Sequence, residues 1–567
     1  MKIRVPLMIQ DPKITKYRGF TRIIERPYID EDFFLDGPVS RRVAVLDFDP
    51  DTDALSSAVP FRPPQGSQTL WRYKIANAER IYEPGFNVYA EDFMAVNVFG
   101  TVLETMEMFE EEDTLGRPVV WAFDAPQLLV VPRAGEWANA FYERGSHSLQ
   151  FFYFPNPEDP DDTIYTSLSR DIVAHETGHA ILDGIMPHLY DAITPQSLAL
   201  HEAIADLTAV LMAFRSSSLR KTILDQTKGS IANANAFSSI AEEFGMARYQ
   251  LGHLRNLLNE KTLGDVDHSE PHELSEVLSG ALYTVMLKIY ERRWRELSGG
   301  DPEADTDFSA SGEALGVSAK QFKRMIFRAL DYLPPAEVSY GDYGRAIIAA
   351  DQAFYPDDEQ EREWIRDEFV RRKMVPDGEA LEVLTDFEAE ALEGVDLQTL
   401  VNSDWAAYEF ANRHRKFLHI PLAVSFHVEP RLVVKRLYYQ RDKGKVPVKE
   451  FLFKVWWDRS ESNRVGLGLP RRRQITVGTT LAIDWDTRRV RALLTTDRRN
   501  RPQERHEQRE DRNLVLRRLV DQDLLRFGDL ALAPDGKPLR SFIRADSTGD
   551  LMRVRGTARM LHILGEV

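Results

Sequence analysis

Two histidines and a glutamate stand within five positions of one apolar stretch, "DIVAHETGHAILDGI", residues 171–185. Positions i and i+4 share one face of a helix, so His175 and His179 can present both imidazoles to a single ion. Glu176 is angled away from that ion but close enough to hold a water and take its proton. A catalytic zinc usually takes a third protein ligand and leaves the fourth position to water. Twenty-three residues after His179, "HEAIAD" offers Glu202 as that ligand. Asp206, four positions on, is expected behind the ligands, accepting a hydrogen bond from a histidine and fixing its tautomer.

Two amphipathic helices with solvated polar faces would carry the same letters. That reading fails to explain why His, Glu and His interrupt a stretch whose neighbours (Ile172, Val173, Ala174, Ala180, Ile181, Leu182) would bury it. H-E-x-x-H on a helix is the zinc-peptidase pattern. The expected chemistry is metal-assisted amide hydrolysis, with Glu176 as base and then as acid to the leaving amine.

"DIVAHETGHAILD" and "EAIAD" together resemble the two zinc helices of the thermolysin-like metalloendopeptidases, and the resemblance runs from about residue 90 to about 375. It implies a two-lobed α+β fold, a β-rich lobe followed by a helical one. It implies Tyr190 and His272 as oxyanion donors, with Asp267 orienting His272 and with Ser275 and Tyr283 in step. "NAFY" (residues 139–142) is similar to the family's edge strand, which implies that Asn139 and Ala140 pair with an extended peptide. Arg255 would grip a substrate carbonyl, and Leu254 and Ile172 would line a pocket favouring an apolar residue after the scissile bond. Calcium is not assigned: Asp171 matches one acidic position of the family's paired site, but Ala213 stands where the family has glutamate.

The elements that must position these residues follow from periodicity. The chain has 567 residues, more than one core accommodates, and a globular composition with no cysteine, which excludes disulfides and thiolate chemistry. The lobe over 1–168 reads as short strands ("RRVAVLDFD", "RPVVWAF", "QLLVVP", "SLQFFYF") around one helix from Asp92 to about Glu111. Helical spacing dominates 169–375. An acidic helical connector covers 376–420, and a β-rich domain with one charged helix covers 421–567. In that last domain 479–496 reads as a hairpin, and Asp-Gly in "LALAPDGKPLRSF" suits a tight turn.

The net charge of −17 conceals a split. After residue 420 there are 31 Lys and Arg against 19 Asp and Glu, +12, leaving 41 against 70, −29, before it. Docking of the basic part on the acidic part is expected, narrowing the cleft, so that truncation after about residue 376 would raise activity on short peptides. Arg471–Arg473 and Arg498–Arg501 lie among tryptophans, but basic runs are more often solvated faces, and nucleic acid is not the expected partner. The first twenty residues carry no secretory pattern and no apolar run has membrane length, so a cytoplasmic protein is expected, or one exported by another route. Two rivals stay open: a protease-like scaffold worked by its C-terminal domain, and a zinc exopeptidase.

Overall fold

The computed structural model describes residues 2–12, 23–29, 33–49, 52, 54–66, 69–81, 83, 85–157, 159–232, 239–240, 255–302, 305, 308–356, 359–440, 444–527, 543–559 and 561. Helix and strand make up 42% and 23% of the structure, with the strands in several separate sheets, as the α+β class requires.

Strand β1 (Lys2–Met8) lies inside a four-stranded sheet, and helix α1 (Glu91–Glu110) packs across it. Gly100 makes that approach feasible, because a Cβ there would stand 2.5 Å from Leu7 and 2.6 Å from Val5. Asn97 ties α1 to its surroundings, taking the Met8 amide at 2.8 Å and donating to the Ser167 carbonyl at 3.3 Å. A six-stranded sheet holds β2 (Val43–Val45), β3 (Leu128–Val131), β4 (Ala140–Glu143) and β5 (Ser148–Phe151), with β4 at its edge.

The run "RPVVWAF" was expected as a strand and is not one. Pro118 has no amide to donate. The Val119 amide donates instead to Glu110, and the Trp121 indole to the Arg42 carbonyl. The segment is an irregular strap against which the helix below packs tightly: a Cβ at Gly184 would stand 1.8 Å from the Val120 carbonyl oxygen.

Helices α2 (Arg170–Ile185) and α3 (Pro195–Arg215) lie side by side in the core. Ser169 caps α2 and Pro195 opens α3 at a position where no amide is needed. Gly178 sets their spacing, since a Cβ there would meet Thr208 Oγ1 at 3.1 Å and Ala205 Cα at 3.2 Å. No membrane span was expected, yet α3 is long and apolar enough to cross a bilayer, and it is wholly buried inside the protein. Helices α4 (Pro271–Leu297), α5 (Ser309–Tyr332) and α6 (Tyr340–Phe354) are the longest of the others in the helical part, which also holds the shorter helices Ser217–Thr227 and Gln360–Arg371.

Beyond residue 420 come β6 (Leu432–Gln440), β7 (Gly444–Ser462), β8 (Arg472–Asp484) and β9 (Val490–Thr495), consecutive antiparallel neighbours, then helix α7 (Pro502–Asp521). The expected hairpin over 479–496 is β8–β9; the Asp-Gly turn at 535–536 lies outside the described residues. Val434, Leu452, Ile475, Leu494, Val515, Leu516 and Leu519 belong to the same hydrophobic cluster as α1 to α6. Buried arginines cross the same boundary. Arg436 pairs with Asp331 of α5 and, at 3.0 Å, with Glu450. Arg498 pairs with Asp342 of α6. Burial alone would raise the Asp342 carboxyl; the guanidiniums of Arg498, Arg345 and Arg501 overcome it and hold that carboxyl far below the usual carboxylate range.

Candidate metal centre

His175 and His179 lie on the α2 face turned to α3, and Glu202 and Asp206 on the α3 face turned back. One ligand atom from each of His175, His179 and Glu202 falls within 4.8 Å of the other two, all three residues being buried. His175 Nε2 and His179 Nε2 are 3.1 Å apart, and the Glu202 oxygens lie 3.5 and 3.3 Å from them.

The outer contacts decide which atoms are bare. His175 Nδ1 stands 3.0 Å from Asp206 Oδ1, and a ring proton on Nδ1, facing that carboxylate, would leave a lone pair on Nε2. His179 Nδ1 stands 2.8 Å from His201 Nδ1, a contact needing one proton; donated from His179, it leaves that Nε2 bare as well. Two lone pairs and a carboxylate then converge on one buried point, where they repel each other unless a cation lies between them. The group can bind a metal ion, and a His₂Glu donor set fits zinc among others. His201 went unnoticed in the sequence reading, although it opens the quoted "HEAIAD".

Glu176 Oε2 accepts the Tyr142 amide of β4 at 3.0 Å. That bond ties the carboxylate, next in sequence to His175, to the sheet edge. Just past the end of β4, the Arg144 amide meets the Tyr190 hydroxyl at 3.5 Å, which places Tyr190 two residues along from the amide that holds Glu176. The Tyr190 ring is buried under the Arg144 guanidinium at 4.2 Å, and burial pushes its phenol up to about 12. Arg144 also donates to Asp183 and to the Pro187 carbonyl, pinning the turn between α2 and Tyr190.

His272, at the start of α4, turns Nε2 toward Glu202 at 3.7 Å. The orienting carboxylate is Glu270 rather than Asp267: Glu270 Oε1 stands 3.2 Å from His272 Nδ1 and also caps the helix. Asp267 is spent locally, its Oδ1 accepting the Ser269 amide and hydroxyl, both at 2.8 Å. Ser275 donates to the His272 carbonyl, and Tyr283 is buried in the α4 core. Asn139 Oδ1 accepts the Ala140 amide at 2.8 Å, so the edge position expected to receive a peptide is occupied by its neighbour's side chain. Ile172 is buried on α2. Leu254 lies outside the described residues, and of Arg255 only the backbone is described, paired with Ile240.

Helix α7 meets the loop before His272. Asp511 Oδ1 lies 3.4 Å from His268 Nδ1, and the Leu263 carbonyl lies 2.9 Å from Nε2. The Asp511 hydrogen bond, against the cost of burial, raises His268 to about 9, with the Leu263 carbonyl and the Asp511 and Asp267 charges adding to it. A histidine whose folded pKa exceeds its ordinary 6.5 stabilises fully below that value, and the contribution is lost as pH rises through about 9. Asp511→Asn should therefore melt below wild type at pH 6 and with it at pH 10. An equal deficit at both pH values would show that the pair does not titrate in this way.

No protein-family model matches the chain, and no curated protein matches it.

Proposed function

We propose that the chain is a zinc-dependent endopeptidase of thermolysin-like architecture, its two lobes being the β-rich residues up to 168 and the helical residues 169–375. One observation carries the reading: three buried donor atoms converge, and the residue after His175, Glu176, has its carboxylate held by a backbone amide of an edge strand. A structural cluster of two histidines and one glutamate does not need a second, separately anchored carboxylate; hydrolysis does.

His175, His179 and Glu202 would hold the metal, with Asp206 and His201 fixing the two rings. Bound zinc would make a water acidic enough to lose a proton near neutrality and polarise a carbonyl. Glu176 accepts that proton on its carboxylate and returns it to the departing amine. His272, with Glu270 on Nδ1, offers Nε2–H to negative charge developing on the carbonyl oxygen when both ring nitrogens carry protons. Strand β4 supplies the edge along which an extended chain adds, once Asn139 Oδ1 releases the Ala140 amide. The preference for an apolar residue after the scissile bond belongs to the same reading, with Ile172 on α2 as one wall.

The test is metal analysis together with cleavage of an internally quenched peptide blocked at both ends. About one zinc per chain is expected, with cleavage abolished by chelation and restored by zinc. A zinc-loaded protein that leaves the blocked peptide intact, yet trims free ends, would be an exopeptidase. One that does neither would be a metal-holding scaffold.

A further inference from the structure

Helix α7 lies more than 300 residues after Glu202 in sequence and more than 200 after His272, yet it grips the loop that carries His272. Three side-chain contacts make the grip. Asp511 takes His268. Arg518 Nη1 donates to the Ser269 carbonyl at 3.1 Å. Arg518 Nη2 donates to Glu270 Oε2, while the other oxygen of that carboxylate faces His272 Nδ1. The path is continuous: Arg518, Glu270, His272 Nδ1, His272 Nε2, Glu202.

The carboxylate is the pivot of this path. Glu270 caps α4 through the His272 amide at 3.4 Å, a long bond, and faces the imidazole with the same oxygen. Nothing in the capping geometry prevents the carboxylate from rotating to solvent, since the side chain is 18% exposed. A guanidinium fork on Oε2 and on the neighbouring carbonyl does prevent it, because planar two-point donation fixes orientation as well as distance. Asp267, which might have substituted, is already committed to Ser269.

We propose that Arg518 is a positioning residue for His272, so that the C-terminal helix is a working part of the catalytic site rather than a cap over it. This inference rests on the peptidase reading for its kinetic consequence, but its structural consequence can be measured without any turnover. Arg518 touches neither substrate nor metal; it acts through Glu270.

The experiment uses the full chain as Arg518→Ala, Arg518→Lys and, as control, Arg517→Ala, which removes an exposed charge from the next position of α7. Arg518→Ala should lower kcat by about 10–100-fold with KM within about twofold, the scale usual for losing an outer partner of a site histidine. Arg518→Lys should recover part of the loss, since an ammonium supplies the charge without the fork, and Arg517→Ala should match wild type. Hydrogen exchange is read alongside. Arg518→Ala should speed exchange in peptides spanning 267–274 and leave α2 and α3 as in wild type. Unchanged kcat, or a rise in KM alone, would overturn the positioning role, as would faster exchange throughout the molecule. Should wild type itself cleave nothing, the peptidase reading falls separately. Exchange then decides the clamp: local release supports it, and no change overturns it.

Discussion

Glu176→Gln is expected to keep the metal and the fold and to lose hydrolysis by about 10²–10⁴-fold, the range for removing a general base. The amide is isosteric with the carboxylate and can still accept the Tyr142 amide through its oxygen, so the link to β4 survives. What disappears is the group able to take a proton from water. No ligand is touched, so zinc content should equal wild type within error. Measured together, retained metal and lost turnover separate a base from a ligand or a structural carboxylate. Turnover within threefold of wild type would remove Glu176 from the reaction. A parallel loss of zinc would instead make it part of the metal's hold.

A chain ending at residue 420 is expected not to fold, and so to be inactive on peptides of every length. The charge split alone suggested the opposite, a basic cap whose removal opens the cleft. The packing argues against it. Val434, Leu452, Ile475, Leu494, Val515, Leu516 and Leu519 share the hydrophobic cluster of the metal helices. At about 1.5–3 kcal/mol per large buried side chain, their loss rivals the roughly 5–15 kcal/mol that holds a typical domain together. The ion-pair partners go too: Asp331 and Asp342 lose Arg436 and Arg498, contacts that are buried on both sides. The measurement is solubility and a cooperative melt of the fragment, followed by peptide cleavage at low and high salt. A soluble fragment that melts cooperatively and cleaves faster than the full chain would restore the cap.

The group that could hold a metal was legible because one helical period governs its helices: His175 and His179 are four apart, as are Glu202 and Asp206 behind them. The α+β class was legible for a similar reason, strand-like alternation ahead of helical spacing. What lay beyond sequence reasoning is long-range or geometric. Glu270 and Asp267 are both acidic and both near His272. Only the structure reveals that the Asp-His-Ser order lets Asp267 fold back on Ser269, a habit of aspartates two residues before a free amide. Arg518 pairs across 248 positions, a separation that leaves no periodic trace. The apolar "RPVVWAF" has strand composition but spends its amide and indole donors on Glu110 and Arg42.

Helix α3 combines a core role with the length and hydropathy of a bilayer-crossing segment, 21 residues that are wholly buried in the folded protein. Glu202 and Asp206 sit near its middle, where an aspartate costs about 2.5–3.5 kcal/mol to insert. The two carboxylates placed at the candidate metal centre thus also set a cost against insertion of this helix into a bilayer. Leucine at both positions would remove that cost together with Glu202 from the His175, His179 and Glu202 group.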